Sequence, residues 1–184
     1  MEAKLPLRSA YKQAEYKRQS VYAWLFILAQ ALLLIAALFF FLFTPVRVNG
    51  TSMAPTLHAG EILLIDKLSL FLRTPERGAM VIFEHPETEE ELIKRVIAYA
   101  GETVQIQNGQ VFIDGRLLSE DAYMPSAGAE DFGPVAVEAG CVFVLGDDRA
   151  QSVDSRAFGS IPLRLLDGRV RFRIAPINKA ALYL

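Results

Sequence analysis

The chain has 184 residues, a length that predicts one folded domain and leaves little room for a second. Hydrophobic residues make up 52% of it, more than the roughly 45–50% usual for soluble domains. The formal net charge of −2 excludes the strongly basic surface on which nucleic-acid binding depends, so no nucleic-acid partner is expected.

The first 20 residues form a basic tail. They contain five Lys or Arg residues and two Glu residues, a net charge of +3. Lys and Arg beside a membrane span resist translocation, so we expect residues 1–20 to be cytoplasmic. The remainder of the chain holds 14 basic and 19 acidic residues and is expected on the extracytoplasmic face of the plasma membrane.

The excess of apolar residues lies in a single block, residues 21–43. Gln30 is the only one of these 23 residues that is neither apolar nor aromatic. As a helix the block would be roughly 34 Å long, enough to cross about 30 Å of bilayer hydrocarbon. A cleaved signal sequence is the alternative, but its apolar core usually has about 7–15 residues and ends in a small-residue cleavage site. The length therefore favours a retained transmembrane helix in the lipid bilayer.

Residues 44–184 contain short β-type segments separated by turn residues. The clearest signal is a hairpin, in which Asn108-Gly109 joins alternating segments at 103–107 and 110–114. Because no long helical pattern separates the segments, they predict a mostly β fold, a compact antiparallel sheet or barrel. The other predicted strands are 61–67, 79–83, 92–100, 142–145 and 169–174.

Three further features bear on the kind of chemistry. Residues 119–134, rich in small residues, Pro and acids, are predicted to form a surface loop. The single Cys141 lies in an apolar run and is predicted to be a small core residue, since it has no internal disulfide partner. His58 and His85 lack the spacing of metal ligands, so no metal and no cofactor are expected.

Three polar clusters lie next to apolar segments, and the first follows the apolar block closely. Gly50 and Pro55 flank Ser52, an arrangement suited to a fixed loop that presents one hydroxyl beside backbone N–H groups. Gly, Ser and Pro are also the ordinary residues of a turn. By itself, this cluster does not distinguish a nucleophile from a turn.

The second cluster places two adjacent cations, Lys94 and Arg95, inside a predicted strand. Neighbouring residues of a strand face opposite sides, so one of the two must point toward an apolar side. Lys94 either extends to water from an edge or is desolvated, which disfavours its ammonium form and makes it a usable base. To be half neutral at pH 7, its pKa would have to fall by over ~3, at a cost of about 4–5 kcal/mol.

The third cluster, residues 146–156, is a charged segment directly after the apolar run that ends at Leu145. Its Asp and Arg residues predict a loop held by its own ion pairs, with Asp154 available to either Arg156 or Arg95. When these charges are considered alone, an ordinary solvated loop is the favoured interpretation, because exposed ion pairs are common and contribute little to stability.

Together, in this order and behind a membrane anchor, the three clusters resemble the type I signal peptidases, the serine/lysine leader peptidases of bacteria. Ser52 to Leu57 resembles the Ser-Met-x-Pro-Thr-Leu pattern of that family, and Lys94 to Ile97 resembles its Lys-Arg-Val-Ile pattern. Residues 146–156 resemble its Gly-Asp-x-Arg-x-x-Ser-x-Asp-Ser-Arg signature. The resemblance covers most of residues 21–162.

The resemblance implies a role for each matching residue. Ser52 would attack the scissile carbonyl of a peptide, neutral Lys94 would take its proton, and Ser152 would orient the Lys94 amine. The backbone at Ser52 and Gly50 would form the oxyanion hole. Residues expected to shape the site without reacting are Arg95, Asp147, Arg149, Asp154 and Arg156.

The resemblance also implies that the substrates are exported preproteins. Their extended signal peptides would add as a strand and would be cut after a small-x-small motif, with the small side chains in shallow apolar pockets. Candidates to line those pockets are Val48, Met53, Leu57 and Ile93.

Two alternatives remain open. One is a dedicated Ser/Lys processing peptidase for a single substrate, of the pilin or conjugation type, because substrate range is not visible in the sequence. The other is a non-catalytic, membrane-tethered β module that binds exported segments, although both Ser52 and Lys94 are present.

Overall fold

The structure, a computed structural model, describes residues 5–85, 87–123, 125 and 128–183. The chain divides into two units, Met1–Leu42 and Phe43–Leu184. Helix α1, Leu5–Leu42, occupies the described part of the first unit, and all the described strands belong to the second.

Helix α1 contains the apolar block. Its stretch Ser20–Leu42 has 23 residues and a mean hydropathy of 2.8, long and apolar enough to cross a membrane. Apolar side chains cover this stretch on all sides, a composition typical of a helix surrounded by lipid. The helix ends at Leu42, one residue before the predicted end of the span, and Phe43 instead begins a strand by pairing with Asp66.

The described part of the second unit is mostly β, with two short α-helices, α2 (Leu68–Leu72) and α3 (Ser155–Phe158), and two 3-10 helices, Leu163–Leu165 and Ile177–Lys179. Its described strands, in chain order, are β1 (Phe43–Arg47), β2 (Ile62–Asp66), β3 (Met80–Glu84), β4 (Glu91–Tyr99), β5 (Thr103–Gln107), β6 (Gln110–Ile113), β7 (Arg116–Leu117), β8 (Phe132–Ala136), β9 (Cys141–Leu145), β10 (Ile161–Pro162), β11 (Leu166–Ala175) and β12 (Ala181–Leu182).

These strands form two sheets. The larger has the order β1-β2-β11-β3-β4-β9-β10, with β12 paired to β11, and the smaller has the order β7-β6-β5-β8. Each described pair is antiparallel. The predicted mostly β, antiparallel fold is therefore confirmed, and the Asn108-Gly109 hairpin joins β5 to β6 as expected.

Five described strands are not anticipated by the sequence pattern: β1, β7, β8, β10 and β12. Strand β1 contains Pro45, which has no N–H to donate, and it is tolerated because β1 lies at the end of the larger sheet. Strand β8 begins inside the segment 119–134, so the prediction of a loop over that whole segment is wrong. In β8, Gly133 has a φ of +78°, and a Cβ there would lie 2.5 Å from the Val104 carbonyl oxygen, so this close pairing requires glycine.

The core of the second unit holds strands β4 and β9 at its centre. Ile97 of β4 and Phe143 of β9 pack with Ile106 of β5 and Val111 of β6, which joins the two sheets. Cys141 belongs to the same cluster and is 6% exposed, as expected for a small core residue. A side chain that leaves the middle of β4 therefore enters an environment with little water.

Candidate active site

Ser52 lies in the loop between β1 and β2, which is held at several points. The Ala54 N–H donates to the Thr51 carbonyl and the Leu57 N–H to the Met53 carbonyl, both at 2.8 Å. Met53 and Leu57 are 2% and 0% exposed, so they anchor the loop in the core. The loop combines the two interpretations left open by its sequence, since it is a turn and it presents the Ser52 hydroxyl.

The structure brings Ser52 and Lys94 together across 42 positions of the sequence. Lys94 Nζ and Ser52 Oγ lie 2.7 Å apart in a hydrogen bond. Lys94 pairs with Val81 in the register of β3 and β4, and it is 1% exposed. Of the two environments considered for Lys94, the desolvated one is observed. Arg95 is also buried, at 5% exposure, so both adjacent cations leave the solvent.

Burial shifts the acid–base behaviour of Lys94. Loss of hydration lowers the pKa of Lys94 from its ordinary value of 10.5 to about 8. Asp154 and Asp147 oppose this shift because their negative charges favour the ammonium form, and Arg156 adds to it. At this pKa about one lysine in ten is neutral at pH 7, roughly 300 times the fraction for an ordinary lysine.

Arg95 forms a buried ion pair with Asp147. Its Nε and Nη2 donate to the two carboxylate oxygens, and its Nη1 donates to the Gly78 carbonyl at 2.6 Å. Thr56 Oγ1 donates to Asp147 Oδ2 at 2.5 Å, which ties the Ser52 loop to the same carboxylate. The proposed alternative pairing of Arg95 with Asp154 is wrong. Arg95 lies opposite Leu145 in β9, and Asp147 follows two residues later, so it is the acid within reach.

Asp154, another acid of the third cluster, pairs with Arg156. Arg156 Nε and Nη2 donate to the Asp154 carboxylate at 2.8 and 2.9 Å. The Gly146 N–H donates to Asp154 Oδ2 at 3.0 Å, and the Arg156 N–H donates to Oδ1 as Asp154 caps helix α3. Asp154 is 0% exposed, so an ordinary solvated loop is excluded.

Arg149 holds the segment 146–156 through hydrogen bonds to residues inside and outside it. It is 1% exposed, and its Nε donates to the Gly146 carbonyl at 2.9 Å. Its Nη atoms donate to the Glu120 carboxylate, and its own carbonyl accepts from Arg156 Nη1 at 2.8 Å. Charged hydrogen bonds therefore hold the segment 146–156 at its buried residues Asp147, Arg149 and Asp154. Its residues Ala150, Gln151 and Val153 are exposed.

Ser152 lies at the site without the contact expected of it. Among the described residues, its Oγ is buried and makes no hydrogen bond, so the predicted bond to the Lys94 amine is not observed. A Cβ placed on Gly146 would lie 2.1 Å from Ser152 Oγ and 2.5 Å from the Ser52 carbonyl oxygen. Ser152 Oγ and the Ser52 carbonyl oxygen thus both lie close to Gly146, and a side chain at this position would clash with them.

A small cavity of about 80 Å³ opens beside Ser52. Val48, Met53 and Ile93, three of the four candidates for lining substrate pockets, border this cavity together with Gly50. Leu57 does not line it, because its side chain is directed into the core and is fully buried. The charged residues Arg47 and Glu91 also border this cavity.

The donor needed for an oxyanion is available at the nucleophile. No described residue accepts a hydrogen bond from the Ser52 backbone N–H. The Ser52 carbonyl accepts from the Asp148 N–H at 3.0 Å, which fixes the peptide plane on the other side of the residue. A substrate carbonyl oxygen beside Ser52 would find one N–H donor already oriented by the loop.

Three supporting residues received no role from the sequence. Thr56 binds Asp147, Glu120 binds Arg149, and the Ser155 hydroxyl accepts from the Val144 N–H at 2.9 Å. Thr56 and Ser155 stand in the matched patterns, which is a signal for them. Glu120 lies 29 positions from Arg149, in a segment with no such pattern, so the sequence offers no indication of its role.

Known proteins resemble this chain over most of its length. Residues 21–175 match the family described as "Signal peptidase, peptidase S26". The chain is 36% identical to signal peptidase I of Bacillus licheniformis, with 89% of this chain and 93% of that protein covered. It is 35% identical to signal peptidase I T of Bacillus subtilis strain 168, with 91% and 92% covered.

Two further proteins are similar to part of the chain. The thylakoidal processing peptidase 1 of Arabidopsis thaliana is 35% identical, with 74% of this chain and 43% of that protein covered. A solved signal peptidase I from Enterococcus faecalis V583 has a TM-score of 0.48 at 30% identity, covering 53% of this chain and 97% of that chain.

The sequence matches define the class of protein as a peptidase. The chain belongs to the signal peptidase family, peptidase S26.

Proposed function

We propose that the chain is a membrane-bound endopeptidase that removes signal peptides from exported preproteins through a Ser52–Lys94 dyad. The observation that carries the proposal is the 2.7 Å hydrogen bond between a buried lysine amine and the hydroxyl of a loop serine. Membership of the signal peptidase family supports the substrate class. A neutral amine in contact with a hydroxyl is the arrangement that serine activation requires.

Acylation would begin when the substrate carbonyl carbon lies above Ser52 Oγ. Oγ bonds to that carbon while its proton passes to Lys94 Nζ, and the carbonyl oxygen becomes an oxyanion beside the Ser52 N–H. The scissile C–N bond then breaks, and the Lys94 ammonium returns the proton to the leaving nitrogen. The mature protein departs with a new amino terminus, and the signal peptide stays as an ester on Ser52.

Deacylation would use the same base. A water molecule gives its proton to Lys94 Nζ and its oxygen to the ester carbon, and the C–Oγ bond breaks as Ser52 recovers the proton. The signal peptide leaves as a carboxylic acid that ionises in water. Among the residues described at the site, Lys94 is the group in contact with Ser52 Oγ, so both half-reactions depend on its neutral form.

The cavity beside Ser52 supports a preference for small side chains before the cut. Its volume of about 80 Å³ is far below the roughly 300–1,000 Å³ of ordinary small-molecule sites, so it suits a side chain rather than a free ligand. Its apolar walls include Val48, Met53 and Ile93. We therefore propose cleavage after a small-x-small motif, with the extended substrate segment bound along this cavity.

Helix α1 supports a location in the plasma membrane. Its stretch Ser20–Leu42 would cross the bilayer once. The net +3 charge of residues 1–20 favours a cytoplasmic amino terminus. The second unit, with Ser52 and Lys94, would then face the extracytoplasmic side, where the cleavage sites of exported proteins emerge.

The test is cleavage of a preprotein with a small-x-small site by the full chain in lipid nanodiscs. Wild type, Ser52→Ala, Lys94→Met and the exposed control Lys67→Met would be compared, and the products identified by mass spectrometry. We expect wild type and Lys67→Met to cut after the small residue and the two dyad variants to lose activity by at least about a hundredfold. Substantial cleavage by Lys94→Met at neutral pH would overturn the dyad, and a cut elsewhere would overturn the proposed specificity.

A further inference from the structure

A second cavity, which shares no lining residue with the cavity beside Ser52, lies within the second unit. Its volume is about 590 Å³, which falls in the range of small-molecule sites. Much of its wall is apolar. The apolar and aromatic residues that line it are Ala79, Met80, Leu118, Ala122, Tyr123, Val170, Leu182 and Tyr183.

The charged part of this wall is cationic. Arg77, Arg95 and Arg169 line the cavity, and no described carboxylate does. Two of the three arginines form ion pairs with carboxylates that do not line the cavity. Arg77 pairs with Glu102 at 2.6 Å, and Arg95 forms the ion pair with Asp147. Arg169, the third arginine, has no carboxylate within hydrogen-bond distance among the described residues.

Arg169 is buried, and two nitrogens of its guanidinium group make no hydrogen bond to any described residue. It is 3% exposed, and its Nε and Nη2 atoms are buried without a partner. Its described ion-pair contact is with Glu76, whose Oε2 lies 3.6 Å from Nη2, too far for a hydrogen bond. Glu76 is itself 56% exposed, so water screens this pair.

A second unsatisfied group lies in the same wall. The Tyr183 hydroxyl is buried and has no described hydrogen-bond partner. A buried polar group without a partner destabilises a fold, and the effect is larger when the group is charged. A ligand that accepts hydrogen bonds from Arg169 and Tyr183 would remove that penalty, and its binding would be favoured accordingly.

We propose that this cavity, here called the Arg169 cavity, binds an oxyanion that carries an apolar group. The planar guanidinium fork matches the two oxygens of a carboxylate or phosphate, and the apolar wall would hold the attached chain or ring. Such an anion comes either from a water-soluble aryl or alkyl carboxylate or from a lipid that has lost its headgroup or acyl partner. The site is independent of whether Ser52 and Lys94 form a catalytic pair.

The test measures binding by titration calorimetry to the full chain in nanodiscs, with empty nanodiscs subtracted. The probes are 3-phenylpropionate for the water-soluble source, decanoate for the lipid source, and neutral 3-phenylpropan-1-ol as a control. We expect at least one anion to bind and the alcohol to bind at least about tenfold more weakly. Tighter binding of one anion identifies the source.

Variants locate the binding. Arg169→Gln should weaken binding by at least about tenfold, and Arg164→Gln, at an exposed arginine nearby in the chain, should leave it unchanged. Because Arg169→Gln changes a buried residue, Ala122→Trp is a second variant that fills the cavity from an exposed position and should also abolish binding. The proposal is overturned if neither anion binds, if the alcohol binds equally well, or if Ala122→Trp binds like wild type.

Discussion

Replacing Lys94 by Met is expected to stabilise the fold while it removes activity. The fall of the Lys94 pKa from 10.5 to about 8 means that burying the ammonium destabilises the folded state by about 3 kcal/mol wherever lysine is charged in both states. Met has a similar unbranched shape and no charge, so it removes this penalty. A Ser52→Ala background in both proteins removes the hydrogen bond to Lys94 and any self-cleavage from the comparison.

The stability difference that Lys94→Met produces should depend on pH, and the direction of that dependence follows from the lowered pKa of Lys94. Between pH about 8 and 10.5 the unfolded chain binds a proton at Lys94 that the folded chain does not, so the free energy of unfolding rises with pH in that window. The advantage of the Met variant should therefore be largest, about 3 kcal/mol, below pH 8 and should fall toward zero near pH 10.5.

Pulse proteolysis in urea suits the assay, because it follows the loss of intact chain in detergent. The single tryptophan is Trp24 in helix α1, so tryptophan fluorescence would not report on the second unit. Lys67→Met, at an exposed lysine, is the matched control and should change the free energy of unfolding by less than about 0.5 kcal/mol. The reasoning is refuted if Lys94→Met brings no gain at pH 7, or if its gain stays constant up to pH 10.5.

Three further outcomes are expected. The kcat/KM for a preprotein should rise about tenfold per pH unit and level off above about pH 8, following neutral Lys94; a flat profile between pH 6 and 8 would contradict this. Asp147→Asn should lower the free energy of unfolding by about 3–5 kcal/mol in urea titrations because buried Arg95 loses its partner, and Arg95→Met with Asp147→Leu should restore most of it. Gly146→Ala should lose most preprotein cleavage, since its Cβ would lie 2.5 Å from the nucleophile's carbonyl oxygen, whereas Gly50→Ala has open space and should fold normally.

The strands that the sequence predicts well are those with local signals. The hairpin at Asn108-Gly109 needs left-handed backbone at both turn residues, and this pair supplies it. Strands β1 and β8 escape prediction because each contains a proline that an interior strand would not accept. Their pairing depends on partners distant in sequence, β2 and β5, which no local pattern can show.

The candidate active site likewise has features that the sequence predicts and contacts that only the fold determines. The serine, the lysine and the charged segment 146–156 are visible as patterns, but which acid pairs with which arginine is set by the register of β4 on β9. That register places Asp147 next to Arg95 and leaves Asp154 for Arg156. Glu120 is placed by the chain folding back onto Arg149, a contact that has no sequence signal.

The ion pairs of the charged segment also set the strength of the base. Burial alone would lower the pKa of Lys94 further, and the negative charges of Asp154 and Asp147 hold it near 8. A lower pKa would give more neutral amine at pH 7 but a weaker base, and a higher pKa would give a stronger base that is almost always protonated. Arg156, the partner of Asp154, opposes the two carboxylates by lowering the pKa of Lys94. Arg156 therefore has a role beyond stability, since its charge offsets part of the effect of the carboxylates and keeps more of Lys94 in the neutral form.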